Sequence, residues 1–216
     1  MADGAYPARM QIDYPESLDR VTTLLRLIWA IPILIILALL SATASESVTV
    51  VTEAGKTVSK VTQNGAGILG GLFVATALMI LFRQRYPRWW FDFAVELTRF
   101  ENRVGAYLAL LTDKYPSTVE EQSVHIEIDY PDVEAELSRG LPLVKWFLAI
   151  PHYIVLAVLV ALAILAVVVA WFAILFTGRY PRGLFDFVVG VGRWILRVQA
   201  YAFLLVTDVY PPFRLD

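Results

Sequence analysis

The chain contains no cysteine and only two histidines among its 216 residues. Without cysteine there is no disulfide, no thiol nucleophile and no thiolate ligand for a metal. His125 and His152 stand far apart, without the short spacing of a metal site, so we predict neither a metal nor another cofactor. The sequence also lacks a Ser/His/Asp grouping, a nucleophile elbow and a glycine-rich phosphate loop. We therefore expect no catalytic residues and no enzyme.

Charge is sparse as well. Only 18% of the residues are charged, 58% are hydrophobic, and the net charge is −2. This balance gives no general attraction to nucleic acid, so we expect no nucleic-acid partner. The apolar residues are concentrated in three runs that carry almost no charge, Leu24–Leu40, Gly67–Phe82 and Leu143–Phe176. Such runs predict membrane segments, because about 20 apolar residues of helix cross the hydrocarbon core.

The first twenty residues do not resemble a secretory leader. They contain Asp3, Asp13, Glu16 and Asp19, and they lack the basic region with which a leader begins. We therefore expect the first hydrophobic segment to remain as an anchor.

Seven of the ten tyrosines are followed directly by proline. Six of these pairs form two ordered sets of three, with the motifs Ile-Asp-Tyr-Pro, Arg-Tyr-Pro-Arg and Thr-Asp-x-Tyr-Pro. The first motif ends at Pro15 and Pro131, the second spans 85–88 and 179–182, and the third spans 112–116 and 207–211. The recurrence predicts a tandem duplication, with a first membrane repeat over residues 1–118 and a second over 119–216. We interpret the Tyr-Pro pairs as structural, because proline ends helices and holds the preceding residue extended. Stacking of these tyrosines on a ligand is the alternative.

The predicted fold is an all-α integral membrane protein made of these two repeats. Each repeat has a transmembrane helix or helical hairpin, followed by an amphipathic, aromatic-rich helix at 89–111 or 183–206. By symmetry we expect residues 141–176 to form a hairpin of two short spans. One long tilted helix fits the same stretch, because residues 153–176 contain no turn signal.

Short β-structure is also predicted at two places. A polar insertion at about 41–66 splits the first apolar block, and its segments Val48–Thr52 and Thr57–Thr62 predict a small β-hairpin. Val124–Ile128 alternates apolar and polar residues, which predicts a short, half-buried strand.

Basic residues cluster where the apolar runs end, at the Arg-Tyr-Pro-Arg motifs. We call these the basic junctions, and they comprise Arg83, Arg85, Arg88, Arg179 and Arg182. If the first two apolar runs cross the membrane and return, the insertion lies outside and the junctions lie in the cytoplasm, as the positive-inside rule prefers.

The helix after each junction places its charges on one face. At about 100° per residue, spacings of four, three and four residues form one narrow stripe. This charged stripe consists of Asp92, Glu96, Arg99 and Arg103 in the first helix, and Asp186, Arg193 and Arg197 in the second. In the second helix, Gly190 stands at the position that Glu96 occupies in the first. The acids precede the bases, which matches the helix dipole.

The stripe has three interpretations. The helices lie in the membrane interface with the stripe toward water or lipid headgroups. Alternatively, they cross the membrane with the stripe facing a bundle interior or pore. In the third interpretation the stripe is an oligomer interface. Glu101 lies on the opposite side of its helix, which argues against a span surrounded by lipid.

Small residues form a second candidate surface. Gly67, Gly71 and Ala75 make a small-xxx-small ridge suited to close helix packing. Glycine is also common in membrane helices for other reasons, so both interpretations stand.

Four segments of the second repeat carry a family resemblance: Ala-Ile-Pro-His at 149–152, residues 171–181, Leu-Phe-Asp-Phe at 184–187 and residues 207–213. The chain resembles the bacterial membrane proteins grouped as domain of unknown function 4389, most strongly from Gly140 to Phe213. The first copy departs from the pattern, since Phe82-Arg83-Gln84 replaces Phe-Thr-Gly. The resemblance implies a membrane location and carries over no chemistry, so we expect a multi-pass protein of the bacterial inner membrane.

The leading functional hypothesis is a small structural or accessory membrane protein. It would bind lipid headgroups or a partner complex, form homo-oligomers or join a larger membrane complex, and possess hairpins able to shape the membrane. The alternative is a channel or transporter whose anion path is lined by the arginines and aspartates of the stripe.

Overall fold

The computed structural model describes residues 6–41, 45–51, 57–63, 67–117, 120 and 122–216. Between residues 40 and 69 only the course of the backbone is described. The expected turn at residues 53–56 lies outside the described residues.

The described residues are mainly helical, which confirms the coarse prediction. The short helix over Val133–Glu136 is capped by Asp132, whose carboxylate accepts a hydrogen bond from the amide of Ala135 at 3.2 Å. In chain order the elements are β1 (Ala8–Ile12), α1 (Arg20–Ser41), β2 (Ser45–Val51), β3 (Thr57–Gln63), α2 (Gly67–Arg83), α3 (Arg88–Leu108), β4 (Val124–Ile128), α4 (Val133–Glu136), α5 (Lys145–Leu148), α6 (Ile150–Thr177) and α7 (Arg182–Ala202).

Two of these helices are long and apolar enough to cross a membrane. They are residues Arg20–Leu39 of α1 and the whole of α6, with mean hydropathies of 2.3 and 3.2. Much of their apolar surface is uncovered, as at Leu27 (76% exposed) and Phe176 (79% exposed). Exposed apolar faces of this size are typical of contact with lipid or with another protein.

The expectation of a helical hairpin over residues 141–176 is wrong. Residues 150–177 form the single helix α6. Its sequence contains no glycine and no polar turn, and Pro151 stands in the first turn, where a missing N–H costs nothing. In α1 the corresponding Pro32 lies inside the helix.

The two aromatic-rich helices begin as predicted, directly after a Tyr-Pro pair. Pro87 and Pro181 directly precede the first turns of α3 and α7. Because a proline holds the residue before it out of the helical region, neither helix extends back to the preceding tyrosine. Both helices end a few residues earlier than predicted. Soon after each end, Leu110 and Leu205 take positive φ angles of 62° and 58°, which turn the chain sharply.

The described residues include two antiparallel pairs of strands. The hairpin of β2 and β3 confirms the predicted insertion hairpin. The strand predicted at Val124–Ile128 is also confirmed as β4, but its partner is β1, with Ala8 opposite Ile128 and Ile12 opposite Val124. We call this pair the ribbon. It was missed by the all-α prediction, because pairing between residues so far apart leaves no local signal.

Two buried cations tie the starts of the apolar segments to loops that follow the aromatic helices. Arg26 donates to the carbonyls of Tyr107 and Thr112, at 2.7 and 2.6 Å, and pairs with Asp113. Lys145 is fully buried, and its Nζ lies 2.8 Å from the Thr207 carbonyl and 2.7 Å from Asp208. Burial lowers the pKa of Lys145, while the carboxylate of Asp208 opposes that shift.

The aspartates of these ion pairs also accept from the backbone. Asp113 accepts the amide of Asp19, and Asp208 accepts the amide of Ser138, both at 2.7 Å. Each Thr-Asp-x-Tyr-Pro motif thus joins the chain before an apolar segment to the loop after the next aromatic helix.

The tyrosines of the Ile-Asp-Tyr-Pro motifs reach across the molecule. The Tyr14 hydroxyl donates to the carbonyl of Tyr180, and the Tyr130 hydroxyl donates to the carbonyl of Tyr86. The Tyr14 ring also meets Phe185 edge-on, with centroids 5.0 Å apart. The N-terminal segment is therefore held by the second basic junction, and residue 130 by the first.

Replacing Lys145 with methionine tests the buried ion pair. We expect a loss of about 3–5 kcal/mol, because Asp208 would keep a largely buried charge without its cation. Unfolding of the detergent-solubilised protein by heat and denaturant measures the loss. The control Lys114→Met changes an exposed lysine and should leave stability nearly unchanged. Equal stability of the two variants would contradict this account.

Candidate functional site

The charged stripe faces the ribbon. Helix α7 lies along the outer edge of β1, and α3 approaches the outer edge of β4. In an antiparallel pair, bonded and non-bonded residue pairs alternate. Cross-strand bonds join Asp13 to Ser123 and Asp129 to Pro7, three positions from Met10 and Ile126 on either side. The opposed residues Met10 and Ile126 therefore direct their carbonyls outward, toward the two edges.

An arginine of the stripe binds each of these carbonyls. Arg193 of α7 donates from Nε to the Met10 carbonyl at 2.9 Å. Arg99 of α3 donates from Nε to the Ile126 carbonyl at 3.1 Å. Carbonyls at a sheet edge otherwise need water or another strand. The two arginines therefore close the two edges of the ribbon at its centre.

The next arginines of the stripe bind the chain that returns over the helices. Arg103 donates to the Ser117 carbonyl at 2.6 Å, and Arg197 donates to the Arg214 carbonyl. Arg197 is only 4% exposed, and burial lowers its pKa. The stripe thus holds the ribbon and the two segments that follow the aromatic helices.

Gly190 is explained by the C-terminal segment. A Cβ atom at this position would lie 2.8 Å from the Leu215 carbonyl oxygen, closer than real contacts allow. Glu96 of α3, by contrast, is exposed and pairs with Arg99. The glycine therefore permits close approach of the C-terminal residues to α7.

The acidic members of the stripe pair with nearby arginines at the exposed ends of the helices. Asp92 lies 3.6 Å from Arg88, and Asp186 lies 3.7 Å from Arg182. Each of these arginines also covers a tyrosine ring of the other half of the chain, Arg88 over Tyr130 and Arg182 over Tyr14. Exposed ion pairs of this kind add little stability.

The basic junctions lie at the C-terminal ends of α2 and α6. Arg83, Arg85 and Arg179 are exposed, as are Arg88 and Arg182. Large aromatic side chains lie beside them in the sequence and are exposed too: Phe82 (74%), Trp89 (70%) and Phe176 (79%). Arginine beside exposed aromatic rings is the composition of a membrane–water interface.

The small-residue ridge is partly uncovered in the part that is described. A Cβ atom on Gly71 would meet nothing within 4 Å, and Ala75 is half-buried. The side-chain environment of Gly67 lies outside the described part of the structure. Its proposed role in helix packing stays a prediction.

The histidines and Glu101 occupy different surroundings. His125 lies on the outer face of the ribbon, 3.0 Å from Asp13, whereas His152 is buried and accepts a bond from Trp194 at 3.0 Å. Glu101 accepts from Gln199 at 3.3 Å, beside an apolar groove of about 870 Å³, and burial raises its pKa. No three His, Asp or Glu residues gather into a metal site within the described ranges.

A polar cavity of about 540 Å³ lies between the ribbon and α7. The charged residues that line it carry both signs, and several of them bind one another or the backbone. His125 lies against Asp13, Arg182 pairs with Asp186, and Arg193 binds the carbonyl of Met10. A cavity of mixed and internally paired charge provides no site for an ion of one sign.

The buried cations Arg26 and Lys145 were missed by sequence reasoning. The signal was present, because each stands four residues before a shared Ala-Ile-Pro motif. This signal was not recognised, because a single charge in an apolar run more readily indicates the end of a membrane segment than a buried residue that binds another part of the chain.

One known protein family matches part of the chain. Residues 142–214 match the family described as Domain of unknown function (DUF4389), which confirms the resemblance for that part of the chain. The match covers about a third of the chain, so the likeness of the first half and the duplication stay predictions. No curated protein and no solved structure matches the chain.

Replacing Arg193 with methionine tests closure of the ribbon edge. We expect faster hydrogen exchange in residues 8–12 and a loss of about 1.5–3 kcal/mol, because a charge-assisted hydrogen bond disappears. The variant Arg99→Met should act likewise on residues 124–128. Arg179→Met removes an exposed arginine and serves as the control. Unchanged exchange in both strands would refute the assignment.

Replacing Gly190 with alanine tests the docking of the C-terminal segment. We expect residues 212–216 to be displaced, at a cost of about 1–3 kcal/mol, because the new methyl group overlaps the Leu215 backbone. Hydrogen exchange in residues 213–216 should then be faster. The control Gly105→Ala meets open space and should leave this exchange unaltered. Equal exchange in both variants would show that the segment does not dock as described.

Proposed function

We propose that this chain is an accessory membrane protein whose basic junctions bind anionic lipid headgroups. The observation that carries the proposal is the exposed combination of Arg83, Arg85 and Arg179 with Phe82, Trp89 and Phe176 at the ends of apolar helices. The aromatic rings suit the interface and the guanidinium groups suit phosphate.

The charged stripe is not part of this proposed binding surface. Its arginines bind carbonyls of the chain itself, and its acids pair with adjacent arginines. These contacts also favour the accessory role over a channel, because the stripe arginines Arg99 and Arg193 are engaged by carbonyls of the chain itself. The proposed function therefore rests on the junctions.

The proposal includes a bacterial cell membrane location with both junctions on the cytoplasmic side, as the positive-inside rule favours. It also includes a tandem origin of the two halves, supported by contacts that occur in matched pairs: Arg26 and Lys145 with their aspartates, and Arg99 and Arg193 with the ribbon. Crossing of the membrane by α1 and α2 remains a prediction.

The uncovered helix faces are apolar and therefore suit a partner protein whose surface is also apolar. A second copy of the chain or a larger membrane complex would cover Gly71 and Ala75, where small side chains allow close approach. We keep this association as the protein-binding part of the proposed accessory role.

The triple variant Arg83→Gln/Arg85→Gln/Arg179→Gln tests lipid binding. Each arginine near an anionic surface contributes about 1 kcal/mol, so three contribute about 3 kcal/mol, or roughly a hundredfold in affinity. Native mass spectrometry of the purified protein with added phosphatidylglycerol measures this loss, and added salt should weaken binding by the original chain.

Two controls accompany this experiment. Phosphatidylcholine replaces phosphatidylglycerol to show that the loss depends on lipid charge, and Lys114→Gln removes an exposed basic residue that belongs to neither junction. If the triple variant binds phosphatidylglycerol as tightly as the original chain, the junctions are not the lipid site.

A further inference from the structure

Helices α6 and α7 lie side by side in opposite directions. Only residues 178–181 separate them. At the far end of the pair, Trp194 donates to His152 at 3.0 Å, and Lys145 binds Asp208. Any tilt of α6 against the membrane is therefore shared by α7.

The ribbon follows α7 along most of its length. The Tyr6 hydroxyl donates to the Arg197 carbonyl at 3.2 Å, Met10 binds Arg193, and Tyr14 packs on Phe185. Residues 6–14, which include strand β1, thus run beside α7 from residue 197 back to residue 185. Strand β1 and helix α6 therefore both lie alongside α7 and run opposite to it.

The free sides of α6 and of the ribbon have opposite chemistry. The uncovered face of α6 is apolar throughout, as at Ile154, Leu162 and Val169, which are 66%, 48% and 57% exposed. The outer face of the ribbon is exposed and charged, with Arg9 and Glu127 among its residues. One side of this unit suits hydrocarbon, and the other suits water.

A spanning α6 would carry the ribbon to the same depth in the bilayer. The outer face of the ribbon would then hold Arg9, His125 and Glu127 at the level of the hydrocarbon, where charged groups are costly. A helix that lies in the plane of the interface avoids this cost, because its apolar face enters one leaflet while its polar partners stay outside.

The positions of the two basic junctions favour the same arrangement. Arg139, shortly before α6, donates to Gln84 at the first junction at 2.9 Å. Gly178, directly after α6, immediately precedes the second junction, and its carbonyl accepts the amide of Leu18 at 2.9 Å. The junctions therefore lie at opposite ends of α6, and a spanning α6 would separate them across the bilayer, against the positive-inside rule.

We propose that α6 does not cross the membrane but lies lengthwise in one leaflet, with α7 above it and the charged face of the ribbon in water. The partner of the uncovered α6 face is then the acyl-chain region of a single leaflet. This inference rests on the proposed function only in assuming that the chain is bound to a membrane.

The length of α6 makes the proposal testable. Its 28 residues extend about 42 Å, whereas the hydrocarbon core is about 30 Å thick. A spanning α6 therefore places its ends on opposite sides. Because the chain has no cysteine, the single changes Ser138→Cys and Thr177→Cys mark the two ends at exposed positions with little change in side-chain size.

Each variant is expressed in bacterial cells and treated with a membrane-impermeant maleimide, in right-side-out and in inside-out vesicles. We expect both cysteines to react from the same side only, together with Gln11→Cys on the ribbon. Reaction of Ser138→Cys and Thr177→Cys from opposite sides would overturn the proposal, and it would place the ribbon within an aqueous interior as a channel requires.

Depth measurements keep the result independent of labelling efficiency. Spin labels at Ile154→Cys, Leu162→Cys and Val169→Cys report oxygen and nickel accessibility along the uncovered face. Equal depths at the three positions support the in-plane helix, whereas a clear maximum at position 162 contradicts it. The proposed function is overturned by different results: recovery of the protein in the soluble fraction, or unchanged binding of anionic lipid by the junction variants.

Discussion

A two-stranded ribbon has two unpaired edges, and here each is closed at its centre by an arginine from a different helix. A ribbon of this size is marginally stable alone. It gains a buried face from Met10, Ile12 and Ile126, and edge bonds from Arg193 and Arg99. The same bonds fix the rotation of α3 and α7, since the stripe must face the ribbon. The opposite faces of these helices are then left for the apolar segments.

The few charges of the interior hold ends of helices rather than forming a site. Arg26 and Lys145 each satisfy carbonyls as well as a carboxylate, which is what a buried cation requires. Their aspartates are bound in turn by backbone amides. What remains uncovered is therefore sharply divided, with arginine and aromatic rings at the junctions, apolar side chains along α1 and α6, and charge on the ribbon.

The two halves of the chain differ at the insertion and at position 190. In the second half one continuous helix, α6, leads into α7, whereas in the first half two helices, α1 and α2, precede α3 and the insertion lies between them. Position 190 of α7 is a glycine, which leaves room for Leu215 to lie against the helix. These differences leave the shared contacts intact, since each of them uses residues outside the insertion.

The sequence by itself determined the helices, the insertion hairpin, the strand β4 and the stripe, because periodicity, proline and apolar length are local properties. It also identified the family likeness of residues 142–214. Only the tertiary structure decided that β1 pairs with β4, that α6 is one helix, and that the stripe arginines bind carbonyls rather than lipid or a pore. An arginine at a given helical position carries the same charge in all these settings. What it binds depends on which backbone atoms the folded chain brings within 3 Å of it, and residues 183 positions apart, such as Met10 and Arg193, leave no mark of that meeting in their neighbours.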